Sequence, residues 1–217
     1  DAMPLREAAL LGCAIPTGAG IVLNTAGLRD GSSVAVFGIG GVGLSAVLAA
    51  SMMNCTTIIA IDVFDNKLEQ ARRGGATHVI NARDRDPVAA VFGITANRGV
   101  DCTIESAGKR QTMEAAFQVV REGGGVCVLA GNLPHGERIS INPFDLIKGK
   151  RIVGTTGGES QLDKDVPRYV DLYLEGKLDL DALISHTCSL DQINRMLDDL
   201  EQGKVMRALI DMSILPD

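Results

Sequence analysis

Short apolar runs rich in Val, Ile, Ala and Cys alternate along this chain with longer stretches whose apolar residues recur at helical spacing. The runs predict strands near 34–37, 57–62, 78–81, 101–105, 125–130 and 151–154. The stretches between them predict helices at about 41–53, 65–73, 87–96, 110–121 and 143–149. Parallel neighbours need a crossover of this kind, so the pattern predicts an α/β fold built on a doubly wound parallel six-stranded sheet. A sheet of that type takes its ligand at the carboxyl ends of its strands.

Two segments fall outside this unit. Ahead of it, Pro16 opens and Gly27 ends a predicted helix, and Asp30-Gly31 turns into the first strand. After it, Gly157-Gly158 interrupts the pattern. A helix over about 164–175, a strand near 184–189, a helix over about 191–201 and a last strand at 206–212 follow. This fresh unit after a double glycine reads as a piece of a second domain.

The chemistry concentrates at Ser33-Val-Ala-Val-Phe-Gly-Ile-Gly-Gly-Val-Gly-Leu44, an apolar strand that breaks into GxGxxG and runs on into an apolar helix. Gly38 permits the tight turn, Gly40 lets backbone approach a pyrophosphate, and Gly43 lets the helix that begins near Gly41 pack close to its strand. Asp62 stands at the tip of the second strand, nineteen residues after Gly43. A carboxylate there accepts hydrogen bonds from both ribose hydroxyls and repels a 2′-phosphate, which favours NAD over NADP. Val63 and Phe64 follow it, with no arginine to receive a phosphate. Two other readings of the motif are a plain strand-to-helix turn and an adenosylmethionine site of the methyltransferase type. The tail argues against the latter, because those folds end in a reversed hairpin.

Composition narrows the partners. The chain has 217 residues, enough for one large domain or one domain and part of another. Aromatic residues make up 3% and tryptophan is absent, so a Val, Ile, Leu and Ala sheet covered by helices fits better than an aromatic-rich β sandwich. The net charge is −6 and no Lys/Arg block occurs, which makes nucleic acid and anionic membrane poor partners. Five cysteines, at 13, 55, 102, 127 and 188, form no CxxC pair and suggest no disulfide framework. A reducing, cytoplasmic setting is the expectation. No signal peptide or bilayer-length apolar stretch is visible, and a start at Asp1 reads as a fragment or processed chain.

Leu11-Gly12-Cys13, Pro16-Thr17-Gly18, FGIGGVGLSAV, Ile59-Ala60-Ile61-Asp62 with Lys67, and Gly75-Ala76-Thr77 together resemble the zinc-dependent medium-chain alcohol dehydrogenases. Gly99-Val100-Asp101, Glu105-Ser106-Ala107-Gly108, Leu183-Ile184-Ser185-His186 and Gly203-Lys204 with Arg207 continue the match in order. The resemblance implies the carboxyl-terminal portion of such an enzyme. Residues 1–15 would close one segment of a GroES-like catalytic domain, 16–157 would form the NAD-binding Rossmann domain, and 158–217 would return to the catalytic domain.

It also implies roles. Cys13 would be one protein ligand of the catalytic zinc, the others lying outside this chain, and Thr17 would stand near the nicotinamide. Lys67 would meet the adenosine ribose and Arg207 the pyrophosphate, while Val42, Gly108, Ala130 and Gly131 would line the cofactor beside Gly38, Gly40, Gly41 and Gly43. His186 and Cys188 alternate along a strand, but the family does not use that histidine as a ligand. The intact enzyme would pass a hydride between a small-molecule alcohol and NAD, giving an aldehyde or ketone. The chain alone would bind dinucleotide without turnover. A homodimer or homotetramer would form through the last sheet edge, near 151–154 with 139–142 beside it. A zinc-free reductase of enones or quinones and a non-catalytic dinucleotide-binding module are the alternatives.

Overall fold

The computed structural model describes residues 3–214; the outermost residues of the expected terminal segments, 1–2 and 215–217, lie outside the described residues. Six strands form one wholly parallel sheet: β1 (Ser33–Phe37), β2 (Thr57–Asp62), β3 (His78–Asn81), β4 (Cys102–Glu105), β5 (Val126–Leu129) and β6 (Arg151–Gly154). Their spatial order is β3-β2-β1-β4-β5-β6. Chain order reverses between β1 and β4, the position at which sheets of this type open a crevice.

The strands read as apolar runs because both faces are covered. Val34, Val36, Ile58, Ala60, Cys102 and Ile104 join one buried cluster, while their neighbours Ala35, Phe37, Ile59, Ile61 and Cys127 join the other. Burial pushes the Cys127 thiol up to about 12 and raises that of Cys102 further, so both act as small hydrophobes.

Helices α1 (Leu5–Ala8) and α2 (Ala14–Gly20) precede the sheet, and α3 (Gly41–Met52), α4 (Asp65–Arg73), α5 (Pro87–Ile94), α6 (Arg110–Gln118) and α7 (Pro143–Ile147) connect its strands. The predicted 16–27 helix differs in detail. It begins at Ala14 with Pro16 in its first turn, where a missing N–H costs nothing, and it winds as a π-helix over Ile21–Thr25 before Gly27 ends it. The segment 139–142 is not a strand beside β6. Its polar groups are drawn elsewhere: Ser140 N–H donates to the Glu114 carboxylate, and the Asn142 side-chain oxygen accepts the Phe144 N–H to cap α7.

The tail contains α8 (Leu162–Leu174), α9 (Ile193–Glu201) and a separate two-stranded parallel sheet of β7 (His186–Cys188) and β8 (Ala208–Ile210). Both strands are shorter than the pattern predicts. At one end the Ser185 hydroxyl accepts the Met206 and Arg207 N–H groups at 3.1 and 3.0 Å, replacing ladder bonds. At the other end Asp211 folds into a turn closed by Ser213. The tail is tied to α2 through Ser160, whose hydroxyl donates to Pro16 carbonyl at 2.8 Å, and through fully buried Tyr169. Among the described residues no single helix is long and apolar enough to cross a membrane.

Candidate functional site

The strand register brings Phe37, Ile61 and Glu105 level, so the tips of β1, β2 and β4 face one crevice. The glycine loop leaves β1 there. Gly38 adopts φ +89°, and a Cβ on it would stand 2.8 Å from the Ala107 amide nitrogen. Gly43 packs its Cα against the Gly38 carbonyl, with no room for a methyl. The start of α3 is thereby pressed onto the loop. Among the described residues no side chain caps its first turn, which leaves those amides to meet an anion.

Asp62 fastens this loop to β2. Its Oδ2 accepts the Ile39 N–H at 2.7 Å, and its Oδ1 accepts those of Val63 and Phe64 at 2.7 and 3.1 Å. A carboxylate offers about four lone-pair sites, so acceptor capacity is left over. The carboxylate lines a cleft of about 530 Å³ together with Gly38, Gly40, Phe64, Lys67 and Ser106.

A second cleft of about 450 Å³ holds Gly41 and Arg207, and Gly40, Lys67 and Leu200 line both. The two clefts therefore adjoin between Asp62 and Arg207. The Arg207 Nη1 lies 2.9 Å from where a Cβ on Gly41 would stand. No ion pair involves that guanidinium among the described residues. A cation at a helix N-terminus opposes the helix dipole, and an anion seated between the two reverses the sign of both interactions.

Two parts of the site have no assigned role in the sequence pattern. Glu105 is fully buried; its Oε1 accepts the Ala107 and Gly108 N–H groups at 3.0 and 2.9 Å and the Thr112 hydroxyl at 2.6 Å. Its Oε2 has no hydrogen-bond partner among the described residues. The signal was present, an acid closing an apolar strand at the carboxyl edge. The second part is Arg83. Val63 and Phe64, not an arginine, directly follow Asp62, yet the turn after β3 brings the Arg83 guanidinium carbon to 4.8 Å from the Phe64 ring centre, with Lys67 Nζ at 5.0 Å.

The remaining predicted residues spread around this centre. Cys13 is exposed at the start of α2, and Thr17 stands one turn on, its N–H donating to the Cys13 carbonyl at 3.0 Å. Ala130 and Gly131 both donate to the Glu105 carbonyl, at 2.9 and 3.0 Å, and Val42 lies in the first turn of α3 with its carbonyl against Gly18. None of these five lines either cleft. Gly108 lines an adjoining opening with Lys109 and Pro134. On β7, His186 is exposed and Cys188 buried; no group of three His, Cys, Asp or Glu among the described residues is placed to hold a metal ion.

Residues 41–175 match the family model described as "Zinc-binding dehydrogenase". The chain belongs to this family. The zinc-binding dehydrogenase match takes in Asp62, Lys67 and Glu105, and whole-chain relatives extend it in both directions. The alcohol dehydrogenase class-2 isozyme 2 of Oryctolagus cuniculus is 37% identical over 211 residues, covering 97% of this chain and 55% of its own length. The class-3 alcohol dehydrogenase of Myxine glutinosa is likewise 37% identical, over 96% of this chain and 56% of its own. This zinc-binding dehydrogenase chain thus spans little more than half the length of these relatives. In structure it is similar to the benzyl alcohol dehydrogenase of Acinetobacter calcoaceticus, with a TM-score of 0.93 at 34% identity over 98% of this chain and 58% of that one.

Proposed function

We propose that this chain is the NAD-binding portion of a zinc-dependent alcohol dehydrogenase, and that the intact protein interconverts an alcohol and an aldehyde or ketone. The observation that carries the reading is a pair of adjoining clefts, with the Asp62 carboxylate at one end and, over a helix start at the other, the Arg207 guanidinium, which has no ion-pair partner among the described residues.

The adjoining clefts suit a dinucleotide. Asp62 would hold the adenosine ribose hydroxyls, with Lys67 beside them. The first-turn amides of α3 and the Arg207 guanidinium would hold the pyrophosphate, bidentate contact being the guanidinium's particular strength. Glu105 keeps the 106–108 loop in place along the cleft wall. Bound NAD supplies the hydride acceptor; this chain's part is to fix its position and orientation.

The fit to zinc is different. A catalytic zinc takes three protein ligands, and among the described residues no group of three His, Cys, Asp or Glu, with or without Cys13, is placed to hold it. Cys13 is proposed as one ligand of a centre whose other ligands lie outside these residues, with Thr17 one turn away. The domain division at 16–157 has a related support. The tail leaves Leu162, Leu174 and Leu190 at 61, 50 and 52% exposure, apolar surface outside both clefts and suited to the rest of a longer polypeptide. The free edge of β6, with Val153 and the neighbouring Phe144 and Ile147 exposed, suits pairing with a second copy in a homodimer or homotetramer.

NADH fluorescence tests the reading, since the chain has no tryptophan to interfere. Saturable binding of NADH is expected, with no alcohol-dependent NADH formation by the chain alone. Failure to bind contradicts the cofactor assignment, and turnover contradicts the incomplete metal centre.

A further inference from the structure

We propose that Phe64 is a positioning residue for the pyrophosphate: its ring seats the Gly203 turn and thereby holds Arg207 over the start of α3. This rests on the reading that Arg207 meets the dinucleotide's phosphates.

Phe64 follows the ribose carboxylate by two residues, and its N–H donates to Asp62 Oδ1. The tip of its ring, Cζ with Cε1 and Cε2, lies against Gly203, and a Cβ there would overlap all three atoms. Gly203 is buried and adopts φ +73°, so the turn both needs and exploits the missing side chain. A second tie comes from the same stretch: Asn66 Nδ2 donates to the Gly203 carbonyl at 2.9 Å, across 137 residues of sequence.

Gly203 is not a loose point of attachment. It ends α9 in a closed turn, with the Gly203 N–H on Leu200 carbonyl at 3.1 Å and the Lys204 N–H on Asp199 carbonyl at 2.9 Å. Arg207 follows four residues later, and its own N–H is fixed on Ser185 at 3.0 Å. The guanidinium is thus placed between two anchors, β7 on one side and the Phe64 seat on the other. The Lys67 and Arg83 cations lie over the ring at 5.0 and 4.8 Å, which restrains its tilt. A movement of the ring is passed to Arg207 through the turn.

The competing role for Phe64 is a wall that stacks directly on the adenine, since the ring lines the larger cleft. Two comparisons separate them. Phe64→Tyr keeps the stacking face but extends a hydroxyl from Cζ, among the ring atoms that meet Gly203. Adenosine fills the adenine and ribose sites but has no phosphate for Arg207 to meet.

The experiment measures affinities of the full chain for NAD, ADP and adenosine by calorimetry and by displacement of NADH. The set comprises the unaltered chain, Phe64→Tyr, Phe64→Ala, Arg207→Ala and Phe64→Tyr/Arg207→Ala, with thermal unfolding followed for each. Phe64→Tyr is expected to weaken NAD and ADP by about tenfold and to leave adenosine unchanged. In the Arg207→Ala background the same substitution is expected to change NAD affinity by less than about twofold. Equal weakening of adenosine, additive losses in the double variant, or unchanged NAD affinity in Phe64→Tyr overturns the proposal. Absence of NAD binding by the unaltered chain, or indifference to Arg207→Ala, overturns instead the reading on which it rests. Phe64→Ala gives a second route to each comparison if the tyrosine variant does not fold.

Discussion

Arg207 rests its guanidinium on Gly41, with Nη1 2.9 Å from the place a Cβ would take on that glycine. The two residues come from distant parts of the chain, one from the edge of the small tail sheet and one from the first turn of α3. On the proposed reading the two form a seat for the pyrophosphate, in which the guanidinium faces the positive end of the α3 dipole.

Arg207→Ala should therefore weaken NAD binding without lowering the melting temperature of the ligand-free chain. Charge-assisted hydrogen bonds contribute about 1.5–3 kcal/mol, which corresponds to a loss of roughly ten- to a hundredfold in affinity. Calorimetric titration paired with a melting curve checks both halves, and a melting temperature that falls as sharply as the affinity contradicts the seat.

Glu105 makes the opposite prediction. Its Oε1 serves three donors inside the fold, from Ala107, Gly108 and Thr112. Glu105→Ala removes the acceptor that these part-buried donors share, at a cost of about 1–3 kcal/mol for each group that water does not reach. Glu105→Gln retains an acceptor oxygen and should be milder. Thermal unfolding by circular dichroism should rank unaltered chain, Gln, then Ala from most to least stable.

The acid limb of stability should carry a contribution from Asp101. Burial pushes this carboxyl up, but hydrogen bonds from the Ser33 hydroxyl, the Arg121 guanidinium and the Ser33 N–H, with the Arg121 charge, outweigh burial and hold it below 3.8. A carboxyl lowered in the folded state stabilises fully above its unfolded value and loses that contribution as pH falls through the folded value. Asp101→Asn should lower the melting temperature at pH 7, by an amount that shrinks as pH drops below about 4. Both partners are more than a third exposed, so solvent screening keeps the effect modest. A pH-independent difference between the two proteins contradicts this assignment.

The sheet was legible because burial on both faces leaves uninterrupted apolar runs, and each of the six runs is a strand. The glycine loop and Asp62 were legible for a related reason: their spacing is set by one strand, one helix and a second strand. Elements whose shape depends on a side chain reaching backbone were not. Ser185 shortens β7 and β8, and Glu114 with Asn142 keeps 139–142 out of the sheet. Contacts between segments far apart in sequence were hidden as well. Arg83 reaches Phe64 from the next strand, and Phe64 meets Gly203 from the other end of the chain. No local pattern encodes either.

The most direct test of the central claim is a side-by-side calorimetric titration of the chain with NAD and NADP. A carboxylate at the ribose should repel a 2′-phosphate, so NAD is expected to bind at one site per chain and NADP about tenfold or more weakly. Equal or tighter binding of NADP, or no binding of either, contradicts the account.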